Sequence, residues 1–75
     1  DHRKEPLLRY FEMLADVSDS KTVIIIDDIY LSVEMEEAWK VIRGHNKVSV
    51  TIDLFRMGIV FFRKGINRSD YLIRY

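Results

Sequence analysis

Apolar side chains recur every three to four residues from Leu7, through Tyr10 or Phe11 and Leu14, to Val17, while Arg9, Glu12 and Asp16 fall on the opposite side. That spacing predicts an amphipathic helix. Pro6 suits its first turn, where a missing N–H has no intrahelical partner to lose, and Glu5 favours the positive end of the helix dipole. The polar run from Ser18 to Lys21 ends it. Val23 to Ile26 are β-branched without interruption. Such a run predicts a strand covered on both faces, and with it a parallel sheet with helices on either side.

A second helix is expected between Ser32, a good N-cap residue, and Gly44, which is placed to end it. Met35, Ala38, Trp39 and Ile42 form its apolar face, and Glu36 and Lys40 are spaced as an i,i+4 pair on the other. From Lys47 to Phe55 the period changes to two, with Val48, Val50, Ile52 and Leu54 alternating against Ser49, Thr51 and Asp53. This predicts a strand that buries the apolar set. Gly58 then supplies a turn, Ile59 to Phe62 return as the second strand of a tight hairpin, "KGINRSD" forms a loop and "YLIRY" a short terminal strand. The fold class is α/β, in the order helix, strand, helix, strand, strand, short strand.

Composition narrows the picture. Seventy-five residues make one small domain, residues 1–75, with no repeat or linker. The 48% hydrophobic content and 12% aromatic content argue against disorder. Twelve basic residues balance twelve acidic ones, so no net field draws the chain to nucleic acid or an anionic membrane. The absence of cysteine removes disulfides and thiolate metal sites and fits a cytoplasmic protein. No apolar run approaches the ~20 residues of a membrane span.

The candidate chemistry lies at Asp27 and Asp28, two adjacent acids at the end of the apolar strand. In open α/β sheets ligands sit outside the carboxyl ends of the strands, where a carboxylate pair can hold a cation, orient a hydroxyl or act as acid or base. The structural reading is a turn, with Asp28 starting it and Asp27 capping an N–H. His2, beside Asp1, is a candidate base or ligand, while His45 reads as a helix-end residue. Arg3, Lys4, Arg56, Arg63 and Lys64 lie near aromatics, as on some nucleic-acid surfaces, but strand ends also carry such charges to block unwanted pairing.

Taken in order, "DHRKEPLLRYFEML", "VIIIDDI" and the hairpin "VTIDLFRMGIVFFRK" resemble the C-terminal half of a class I S-adenosylmethionine-dependent methyltransferase, in the O-methyltransferase-like branch. The resemblance covers the whole chain. It implies a partial Rossmann-like sheet closed by an antiparallel C-terminal hairpin, and an enzyme that methylates a small-molecule acceptor at a hydroxyl. Asp1 and His2 match the acid-rich end of one strand, and Asp27 and Asp28 the end of the next. In cation-dependent members acids at these ends, here Asp1, Asp27 and Asp28, hold a divalent metal together with an Asn, whose place Asp28 takes. Members without metal use the equivalent His or acid to position or deprotonate the acceptor, which implies His2, Asp27 and Asp28 as catalytic residues. The Gly-rich loop and the acid that hold S-adenosylmethionine in the family belong to an N-terminal half outside these residues, so the chain alone is expected to be inactive.

Two other classes compete. A receiver domain also has an apolar strand ending in two acids, but it needs a further Asp ending a later apolar strand. Asp53 within its alternating strand and Asp70 ahead of its apolar neighbours do not fit. A non-catalytic self-association module is the second. From the family topology, the Ile59 to Phe62 strand should lie between the other two, leaving the Val23 to Ile26 strand with an open edge. A homodimer through that edge, or through exchange of the first helix, is therefore expected.

Overall fold

The structure, a computed structural model, describes residues 4–74; Asp1, His2 and Arg3 lie outside the described residues. Helix α1 spans Lys4–Asp16, strand β1 Val23–Asp27, helix α2 Val33–Arg43, and strands β2, β3 and β4 Val50–Asp53, Met57–Phe61 and Ser69–Leu72. The four strands form one sheet in the order β1-β3-β2-β4. Strand β3 runs antiparallel to both neighbours, while β4 pairs parallel with β2. The expected placement of the third strand between the first two is thus observed.

Both helices pack on the same face of this sheet. Across it run Ile26, Gly58 and Asp53 in one row and Ile24, Val60 and Thr51 in the next. Phe11 of α1 stacks on Phe62 with ring centroids 6.0 Å apart. Trp39 of α2 lies over Gly58, where an added Cβ would stand 2.4 Å from the indole. Gly58 is therefore inside β3 because the indole occupies the space of a side chain. The turn expected there falls instead at Leu54 to Arg56, closed by the Leu54 N–H donating to the Met57 carbonyl at 2.9 Å, with Phe55 at φ 69°. Helix α2 begins as expected, its Met35 N–H donating to the Ser32 hydroxyl at 3.2 Å. Its Met35, Ala38, Trp39 and Ile42 are all buried. In α1 the buried positions are Phe11 and Ala15, and Val17 is exposed.

Two expectations about burial are reversed. Val23 and Ile25 are 50% and 64% exposed, so β1 is not covered on both faces, and its one partner within the sheet is antiparallel. Val48, ahead of β2, is buried as expected, but from there on the period has the opposite phase: Ser49, Thr51 and Asp53 are buried beneath the helices, and Val50, Ile52 and Leu54 sit half-buried on the far face. The inversion is tolerated because each buried polar group is satisfied. The Ser49 hydroxyl accepts from Arg63 N–H at 2.8 Å and donates to the Phe61 carbonyl at 3.2 Å, and Thr51 donates to Asp70. The far face is a continuous apolar surface in which Val23 pairs with Phe61, Ile25 with Ile59, and Ile59 in turn with Ile52. At 35 × 30 × 16 Å the molecule is a slab two layers deep. Strand β4 starts earlier than expected, at Ser69, and ends at Leu72.

Candidate functional site

Asp27 is the last residue of β1, opposite Met57. Asp28 follows at φ 57°, in the left-handed region that Asp tolerates better than most side chains. Its main chain makes the turn into α2: its N–H donates to the Arg56 carbonyl at 2.7 Å and its carbonyl accepts from Leu31 at 3.1 Å. Both side chains are exposed. Among the described residues no hydrogen-bond donor reaches either carboxylate. The pair stands at one end of a groove of about 450 Å³ that runs along the free edge of β1, walled by Leu7, Tyr10 and Leu14 of α1 and by Ile24 to Ile26. Two solvated acids at the mouth of an apolar groove can accept hydrogen bonds from a hydroxyl or contribute oxygens to a cation. Among the described residues no group of three or more His, Cys, Asp or Glu side chains comes together that could hold a metal. Asp1 and His2, the other residues assigned to this site, lie outside the described residues.

A second carboxylate, Asp53, ends β2 at the same end of the sheet, in the polar set of alternating positions expected opposite the buried face. It is 3% exposed and is surrounded by donors. Oδ2 accepts from the Tyr30 hydroxyl and from Trp39 Nε1 at 3.3 Å; Oδ1 accepts from the Phe55 N–H at 2.9 Å and from Arg74 Nη1 at 3.2 Å. The Tyr30 ring stacks on Phe55 at 5.7 Å, and the Arg74 guanidinium lies 5.2 Å from the same Phe55 ring. Burial would push the Asp53 carboxyl up, but the hydrogen bonds from Tyr30, Phe55, Arg74 and Trp39 outweigh it and hold the pKa below the ordinary carboxylate value. The Tyr30 phenol moves upward, through burial first and then through the hydrogen bond and charge of Asp53. The available signal was Trp39 itself, because a buried indole N–H requires an acceptor. Four donors leave Asp53 no free lone pair for chemistry, so it ties the β2–β3 turn and the C-terminal residues to α2.

The remaining candidates separate. His45 contacts Glu12 through Nε2 and packs edge-on against Phe11 at 5.5 Å, joining the end of α2 to α1. Lys4 pairs with Glu37, while Lys47 pairs with Asp16. Arg68 donates to the carbonyls of Arg43, His45 and Val48. Arg56 precedes β3 whereas Arg63 and Lys64 follow it, so these charges stand at opposite ends of a strand and form no common basic surface. Among the described residues no helix is long and apolar enough to cross a membrane. A scan against protein-family models, a search of curated proteins and a search of solved structures each find no match to this chain.

Proposed function

We propose that the chain is the C-terminal portion of a cytoplasmic class I S-adenosylmethionine-dependent methyltransferase that methylates a hydroxyl of a small-molecule acceptor. The observation that carries this reading is the strand order. Strand β3 runs antiparallel between β1 and β2, which are parallel to each other, and the helices preceding these two strands lie on one face. That is the closing arrangement the sequence resemblance implies. Two further features support it. The apolar groove lies along the edge of β1 where the parent sheet would place a neighbouring parallel strand, and the apolar far face is the kind of surface that a second helix layer covers in such sheets.

In this reading Asp27 and Asp28 receive the acceptor hydroxyl at the carboxyl end of β1 and orient or remove its proton, a role the resemblance also gives to His2. Asp1, Asp27 and Asp28 are the residues that would hold a divalent cation. The residues do not include the cofactor's own site. The three glycines stand at the end of α2, inside β3 and in the β3–β4 loop, and none opens a helix after a strand as a cofactor-binding loop does. Methyl transfer is therefore expected of the reading frame that contains this segment and not of the 75 residues alone.

The test is to express that reading frame, measure S-adenosylmethionine binding by calorimetry, and assay methyl transfer to a panel of phenols and alcohols by mass spectrometry. Saturable binding is expected, with Asp28→Ala lowering turnover at least a hundredfold while the melting temperature moves by only a few degrees. A frame that neither binds the cofactor nor encodes a Gly-rich strand-turn-helix ahead of Asp1 overturns the proposal.

A further inference from the structure

Among the described residues the sheet has a second free edge, on β4. In β4 the Ser69 N–H donates to the Ser49 carbonyl and the Ile73 N–H to the Asp53 carbonyl, each at 2.9 Å. Residues 69, 71 and 73 therefore turn their main-chain groups toward β2, and residues 70, 72 and 74 turn theirs outward. The side chains of this strand are also uncovered: Tyr71 is 55% exposed, Leu72 66% and Ile73 46%. Asp70 and Leu72 register with Thr51 and Asp53 and so share the helix side of the sheet, while Tyr71 registers with Ile52 on the far side.

The run from Asp70 to Arg74 reads acid, aromatic, Leu, aliphatic, base, and it is complementary to itself when reversed. We infer that β4 is a homodimer interface, in which two copies pair antiparallel about a twofold axis at Leu72 and extend the sheet to about eight strands. Parity of the outward main-chain groups restricts the register to pairings of even with even positions. Charge then selects among them. With Leu72 opposite the partner's Leu72, Asp70 stands opposite the partner's Arg74, and Arg74 opposite the partner's Asp70. Tyr71 and the partner's Ile73 meet in the closer, non-hydrogen-bonded pairing that suits an aromatic against a β-branched side chain. Moving the register by one allowed step in one direction sets Arg68 against Arg74, and in the other it leaves Asp70 without a basic residue opposite. The favoured pairing makes about six main-chain hydrogen bonds.

The edge of β1 offers no such match. Its outward positions are Val23, Ile25 and Asp27, so twofold pairing about Ile25 sets an acid against a valine at each end. The inference is independent of the methyltransferase reading, since it is read by mass and concerns the edge remote from Asp27 and Asp28.

The test is sedimentation equilibrium of the 75-residue chain from about 1 to 500 μM, an interface of this size implying micromolar affinity. The wild type should approach twice the monomer mass. Asp70→Asn keeps an acceptor for the Thr51 hydroxyl and leaves Arg74 on Asp53, so by removing the charge opposite Arg74 at both ends of the pairing it should weaken self-association severalfold without loss of fold. Leu72→Pro removes an outward N–H that bonds nothing in the monomer, so it should give a monomer with an unchanged circular dichroism spectrum. A wild type that stays monomeric at 500 μM overturns the inference. So does a folded Leu72→Pro chain that dimerises like the wild type, or an Asp70→Asn chain whose self-association is unchanged.

Discussion

The carboxylates at the ends of β1 and β2 differ in everything but residue type. Asp53 is buried, accepts from four donors and is held ionised, whereas Asp27 and Asp28 face solvent with no donor reaching them among the described residues. A buried acid with all its lone pairs engaged contributes to the fold and is closed to a substrate. An exposed acid on a left-handed turn contributes little to the fold and is open to one. The two strands run parallel, so both carboxylates stand at one end of the sheet, and the difference lies in what α2 brings to each. Trp39 and the approach to the helix, Tyr30, reach Asp53, while the turn beginning at Asp28 carries the chain away from its own carboxylates.

The largest effect should come from Asp53→Ala, which leaves the Tyr30 hydroxyl, the Trp39 and Phe55 N–H groups and the Arg74 guanidinium without their acceptor. Removing one partner of a buried charged network costs about 3–5 kcal/mol, most of the stability a domain of this size holds. Denaturant unfolding followed by Trp39 fluorescence should show the loss. Asp53→Asn keeps the shape and one acceptor oxygen and should cost about half as much. If Asp53→Ala instead leaves the unfolding midpoint unchanged, the contrast between the two sites fails.

The same network sets how stability depends on pH. The folded-state pKa of Asp53 lies below its unfolded value, so on acidification the unfolded chain takes up its proton first. Its contribution is present above the unfolded carboxylate pKa, about 3.9, and is lost as pH falls through the lower folded value. The Tyr30 phenol is raised, so its contribution is present below the unfolded value near about 10 and is lost as pH rises through the folded one. Urea midpoints measured across pH should therefore fall at both limits. In Asp53→Asn the acid fall from this site should vanish and the alkaline one should shrink, since Asp53 supplies two of the causes that raise Tyr30.

These contrasts mark how far the sequence could be read. Periodicity located all six elements, because the helix and strand periods are local properties of the chain. The place of β3 between β1 and β2 was expected from the family resemblance and is observed, whereas the parallel pairing of β4 with β2 was not expected. Phase was beyond reach in β2, where Val50 and Ile52 look like core and Asp53 like surface until Trp39 and Tyr30 are known to arrive above Asp53. Gly58 was misread for a related reason: a glycine that makes room for an indole is indistinguishable in sequence from one that makes a turn. Asp27 and Asp28 were legible as acids at the end of a strand because that position is a local fact. Whether other side chains satisfy an acid depends on contacts between distant elements.

The smallest effect should come from Asp28→Gly, and it bears on the open end of the comparison. At φ 57° any side chain bearing a Cβ is held in a sparsely populated region, and glycine removes that strain. Against this, glycine gives the unfolded chain more freedom, which offsets part of the gain. Because no donor reaches the carboxylate among the described residues, no hydrogen bond is lost with it, and the N–H to Arg56 and the carbonyl from Leu31 belong to the main chain and survive. The net change should be a stabilisation of about 0.5 kcal/mol, within about 1 kcal/mol of zero, read as a small rise in the urea midpoint. A loss of 2 kcal/mol or more would mean that the Asp28 side chain holds the turn, and that the acids at the end of β1 are structural in the way Asp53 is.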